Sequence, residues 1–107
     1  MIGGFAIGGS SPKVVLIRAR GPSLAPYFPT TYLANPVLQL FSGQTLIAEN
    51  DNWGNAPNVA AIQATGMAPD NAWESALLVV LNPGAYTAIV SGAGGGTGVG
   101  IFEIFVP

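Results

Sequence analysis

The side chains that ordinarily drive turnover are scarce in this sequence. It has no histidine and no cysteine, so the usual base beside a serine or cysteine nucleophile is missing and the common hydrolytic triads cannot be assembled. A Ser–Lys pair would have to use Lys13, which stands in no recognisable motif. The glycine run Gly92–Gly98 superficially resembles a phosphate-binding loop, but it lacks the lysine and leads into a strand pattern instead of a helix N-terminus. No enzymatic activity is expected. What remains is oxygen chemistry. Four of the five acids, Glu49, Asp51, Asp70 and Glu74, stand at the two ends of one long irregular segment, with Asn50, Asn52, Asn55 and Asn71 beside them. Calcium takes about six to eight such hard oxygen ligands, and Glu49, Asp51, Asp70 and Glu74 are the expected metal set, although their spacing matches no EF-hand. No cofactor other than calcium suggests itself. Alternatively, Asp51, Asn52 and Asp70 cap turns and a short helix, as Asp and Asn ordinarily do in loops. A carboxylate pair could also serve glycoside hydrolysis, but a small sandwich offers little cleft.

Trp53 and Trp73 occupy the same two loops. Exposed aromatics beside Asn and Asp suit stacking on a sugar and hydrogen-bonding its hydroxyls, so Trp53, Trp73, Asn52 and Asn71 form the expected carbohydrate-binding set. Tyr27 and Tyr32 could extend it. The alternative is that the indoles are buried anchors pinning the long segment to the core. Arg18 and Arg20 lie two apart on one strand and share a face, in a chain with almost no other cations. Isolated charges in an apolar strand need partners, so at least one is expected to pair with Glu74 or Glu103, and Arg18 with Glu103 is the structural ion pair selected.

The elements that must position these groups are all β. Fifteen glycines and nine prolines punctuate short apolar runs over 107 residues, a pattern of sandwiches and barrels. One domain spanning 1–107 is expected. Seven strands are expected at Gly4–Ile7, Lys13–Arg20, Val37–Phe41, Thr45–Glu49, Ala76–Leu81, Ala85–Ser91 and Gly100–Val106. A short helix over Asn58–Ala64, ended by Gly66, is the one interruption in the middle connection. Ala76–Leu81 is continuously apolar and so is expected to be buried on both faces. In Ala85–Ser91, Tyr86, Ala88 and Val90 fall on one face and Thr87, Ile89 and Ser91 on the other. Gly92–Gly98 reads as a flexible loop.

Charged residues are only 7% of the chain and the net charge is −2, where soluble domains average about 25% charged. That balance lacks the basic stripe a phosphate backbone requires, which argues against nucleic acid as a partner. It argues equally against an anionic membrane surface. The longest apolar run is far shorter than the roughly 18 residues that span a bilayer, and Met1–Gly9 lacks the basic and apolar parts of a signal peptide. No membrane insertion is expected.

Five stretches carry a family likeness. Asn35-Pro-Val-Leu-Gln-Leu-Phe-Ser-Gly-Gln-Thr-Leu-Ile-Ala-Glu-Asn-Asp-Asn-Trp-Gly54 and Leu81-Asn-Pro-Gly-Ala-Tyr-Thr-Ala-Ile-Val-Ser-Gly92 resemble bacterial pre-peptidase C-terminal-like domains, as does Gly96–Gly100. Pro12–Leu24 and Ile101–Phe105 are similar to a module repeated in large exported proteins of environmental bacteria. The resemblance implies an antiparallel, jelly-roll-like β-sandwich at the cell surface or outside the cell, acting as a non-catalytic structural or adhesive module. In that module further β sequence precedes the position of Met1, so 1–107 is expected either to lack the domain's natural N-terminal strand or to leave a sheet edge that another chain completes. An incomplete sheet edge is a template for pairing, so a homo-oligomer joined through an edge strand is expected as well.

Overall fold

Short runs in which every second residue is apolar can bury one face only, so two such surfaces must close on each other. The computed structural model describes Met1–Pro107 and shows this closure. Its strands are β1 (Ile2–Ile7), β2 (Lys13–Arg20), β3 (Pro36–Ser42), β4 (Thr45–Asp51), β5 (Ser75–Leu81), β6 (Gly84–Gly92) and β7 (Ile101–Phe105). They form a four-stranded sheet in the order β1-β6-β3-β4 and a three-stranded sheet in the order β5-β2-β7. Every named pairing is antiparallel. The pairs β1–β6, β2–β5 and β3–β4 nest inside one another, which is the winding of a jelly roll, and β7 adds to the remaining side of β2.

The core lies between the sheets. Val15, Ile17 and Ala19 of β2 meet Leu38 and Leu40 of β3 and Ala88 and Val90 of β6, all buried. The expected division of β6 holds, since Ala88 and Val90 are buried and Ser91 is exposed. A second cluster lies on the opposite face of the three-stranded sheet, where Leu16 and Ala76 pack against Ala56 and Ile62. Ile62 comes from the only α-helix, α1 (Val59–Ala64). Fully burying its side chain contributes roughly 1.5–3 kcal/mol, which is what holds the middle connection against the sheet. Asn58 precedes the helix, but its amide donates to Leu78 O at 3.0 Å and does not cap it. Gly66, at φ 71°, ends the helical segment in the left-handed region.

Several boundaries differ from expectation for local reasons. β1 starts at Ile2 because Ile2 and Gly3 already pair with Ile89 and Ala88. β4 runs on to Asp51, which pairs with Val37. β5 is buried on both faces only in its first half: Ala76 and Leu77 are covered, but Val80 is 67% exposed and lies outside the cluster built around Ile62. The Gly92–Gly98 run contains a 3₁₀ turn, Ala93–Gly95. The chain just beyond it is tied down, for Val99 N donates to Thr31 O and Leu33 N donates to Val99 O.

Candidate ligand-binding site

The candidate site forms where the ends of β2, β4 and the segment before β5 converge, and its foundation is a buried carboxylate. Glu74 has no solvent exposure. Its Oε2 accepts from Gly21 N at 2.7 Å, Ser23 N at 3.0 Å and Ser23 Oγ at 2.6 Å, while Oε1 has no partner. A carboxylate out of water is costly unless several donors face it. Here the donors come from the start of a 3₁₀ turn, Pro22–Leu24, whose first amides lack partners within the turn. The chain at Gly21 approaches the 33–36 segment so closely that an added Cβ would lie 2.0 Å from Leu33 O.

The neighbouring residues continue the fastening. Ser75 Oγ donates to Pro36 O at 2.6 Å and accepts from Asn52 N at 3.2 Å. Buried Asn50 accepts from Ala76 N at 3.0 Å through Oδ1 and donates to Asn52 O at 3.3 Å. Asn52 holds φ at 71°, the one non-glycine residue in the left-handed region. Asn35 completes the frame. With its amide oriented to satisfy its neighbours, Nδ2 donates toward Asp51 Oδ1 at 2.9 Å, Asn52 Oδ1 at 3.1 Å and Trp73 O at 3.3 Å.

Trp73 is held at both its flanks and left outside. Its amide donates to Asn71 Oδ1 at 2.9 Å, the side-chain turn Asn favours, and its side chain projects with 56% exposure. It lines two open depressions. The larger, about 430 Å³, is bordered by Pro22, Tyr32, Ala34, Asn35 and Asn71. The smaller, about 270 Å³, is bordered by Asn52, Gly54, Asn55 and Ala72. No Lys, Arg, Asp or Glu side chain lines either one. The Asn71 Nδ2, the Tyr32 hydroxyl and the Asn55 side-chain amide neither donate nor accept elsewhere in the chain.

The four residues expected to bind carbohydrate are therefore not equivalent. Trp73, Asn71 and Asn52 border the depressions, whereas Trp53 packs on the Leu16–Ile62 cluster as an anchor, with its Nε1 buried. Tyr32 joins the site and Tyr27, although 75% exposed, lines neither depression. Asn35 was hidden in the sequence. It is one of many Asn residues, and its only signal was a place immediately before the Pro that opens β3.

The expected calcium set does not assemble, for no three carboxylates come together as a metal-binding group. Each acid is engaged or placed apart. Glu74 serves the Gly21–Ser23 amides, Glu49 accepts from Gln39 Nε2 across the strand pair at 3.2 Å, and Asp51 faces the Asn35 amide. Asp70 is exposed. The oxygens of Asp51 and Asn52 that could have turned to a cation converge on an amide nitrogen instead. Within β2, Arg18 Nε lies 2.8 Å from Glu103 Oε1, and its Nη1 donates to Met67 O at 3.2 Å. The Arg18 guanidinium sits 4.9 Å from the Phe105 ring centre, within cation–π range. Arg20 Nε donates to Ser23 Oγ, the hydroxyl that itself donates to Glu74.

Comparison with protein-family models, with curated proteins and with solved structures finds no match to the chain. No helix is long and apolar enough to cross a membrane.

Proposed function

We propose that this chain is a non-catalytic binding module that takes a neutral, polyhydroxylated ligand of the carbohydrate class on the Trp73 ridge. The supporting observation is an indole more than half exposed yet rigidly mounted, with amide side chains on both sides of it. An exposed aromatic face packs against the C–H surface of a pyranose, and amides both donate to and accept from hydroxyls. A large apolar side chain left in water while side-chain amides of Asn71 and Asn35 hold its backbone on both flanks fits recognition better than packing. The likeness of the Asn35–Gly54 and Leu81–Gly92 segments to exported bacterial modules supports a place at the cell surface or outside the cell. A glycan array followed by titration of tryptophan fluorescence tests the proposal. Binding of a neutral glycan that Trp73→Ala weakens by about tenfold or more, or about 1.4 kcal/mol, is the expected result. An array with no neutral glycan bound overturns it.

A second, compatible proposal concerns self-association. Edge strands are normally protected by charge, Pro or a bulge, and β1 (Ile-Gly-Gly-Phe-Ala-Ile) carries no charged residue and no Pro and keeps an unbroken register with β6. Its Ile2 is 71% exposed. By contrast β4, the other edge of that sheet, bears Glu49 and Asp51 and an irregular register. Light scattering over a concentration series should show a dimer that Gly4→Lys abolishes, and monomer at every concentration counts against it.

A further inference from the structure

We infer that the Trp73 site recognises at least two consecutive units of a neutral glycan chain, seating one on each side of the indole, and rejects polyanionic glycans. The inference rests on the carbohydrate reading above and adds the length and charge class of the ligand.

The length follows from the shape of the site. Trp73 is common to both depressions, and the rest of their linings share no residue. A single sugar ring can occupy one side and leave the other in water. A chain crossing the ridge meets the free Asn71 and Tyr32 groups on one side and the Asn55 amide on the other. Each half is close to the lower end of the volume range of small-molecule sites, ~300–1,000 Å³. Linking two weak contacts through one ligand makes the second contact intramolecular, so affinity should rise steeply from one unit to several.

The charge class follows from what surrounds the site. None of Lys13, Arg18 and Arg20 lines either depression. Exposed acids flank the site, with Asp51 directly behind Asn35 and Asp70 next to Asn71 in the chain, while Arg20, bonded to Ser23 beside Pro22, is already engaged by Ser23 and Glu103. A uronate or sulfate entering this face would meet like charge, with no guanidinium or ammonium lining the depressions to replace its water.

The test is isothermal titration of the intact chain with cellotetraose, laminaritetraose and mannotetraose, with glucose and mannose, and with tetragalacturonate, in low salt. At least one neutral tetrasaccharide should bind about tenfold or more tighter than its monosaccharide, and tetragalacturonate should give no heat of binding. Asn71→Ala and Asn55→Ala should each weaken the tetrasaccharide by roughly threefold or more, and one of them should leave the monosaccharide unaffected. Equal affinity for monosaccharide and tetrasaccharide, or binding of tetragalacturonate as tight as that of any neutral tetramer, overturns the inference while leaving sugar binding intact. Failure of every neutral sugar overturns both.

Discussion

Glu74 shows how one side chain can organise residues far from it in sequence. Its carboxylate gathers the amides of Gly21 and Ser23 and the Ser23 hydroxyl, and that turn borders the larger depression through Pro22. Replacing it with leucine removes the acceptor and leaves those donors buried. Glu74→Leu should cost about 3 kcal/mol or more, which at this chain length lowers Tm by roughly 12 °C. Glu74→Gln keeps one acceptor oxygen and should cost less, so thermal melts of the two variants should rank in that order. Within β2, Arg18→Met loses a partly exposed ion pair but keeps an apolar stem on Phe105. Its expected cost is about 1 kcal/mol by chemical denaturation. Melts with added calcium and then with chelator should coincide, because the Asp51 and Asn52 oxygens already face the Asn35 amide. Of these roles, only the pairing of Arg18 was readable beforehand, since two cations on one strand face demand an acid. The burial of Glu74 was not, because an acid next to an apolar run looks the same in sequence whether it meets solvent or a turn of free amides.

At the scale of elements, α1 and the chain around it form a cover over the outer face of the three-stranded sheet. Ile62 is the peg. Ile62→Ala should destabilise by about 2–5 kcal/mol, with hydrogen exchange accelerating first over α1 and at the start of β5. At the junction of β2 with the following turn, Gly21→Ala forces a methyl into Leu33 O. It should be more damaging than Gly43→Ala, where the added Cβ meets nothing nearby and the cost is that of the left-handed φ of 59° alone. The seven strands were legible because Gly and Pro break the chain wherever alternation stops, and the helix because Ala, Ile and Gln cluster only once in the long connection. The outer cover was harder to anticipate. The unbroken apolar run of β5 implied burial on both faces without saying which segment supplied it, and its exposed Val80 lies outside the cluster that segment builds around Ile62. The candidate site was half legible. Trp73 and its Asn neighbours were recognisable by type, but the different fates of Trp53 and Trp73 depend on which indole the Leu16–Ile62 cluster captures.

Across the whole molecule, few charges leave stability to burial and backbone hydrogen bonding. With three cations and five acids in the chain, screening has little to act on. Tm should therefore change by only about 1–2 °C between dilute and molar sodium chloride, while sodium sulfate, which strengthens apolar burial, should raise it clearly. A large drop in sodium chloride would show that the Arg18–Glu103–Arg20 group carries more of the stability than its exposure suggests.

The nested strand pairing also dictates an order of events during synthesis. Of the seven strands β1 and β2 are made before the others, yet their partners β6 and β5 are the second-last and third-last of the seven. Until then the β3–β4 hairpin is the only strand pair that can close. Folding must therefore wait for most of the chain and proceed through distant contacts, which places it among slow-folding topologies. Throughout that delay the apolar stretch Val14–Ile17 stays uncovered, and a chaperone that shields it on the nascent polypeptide should raise the yield of native protein more than one acting after release.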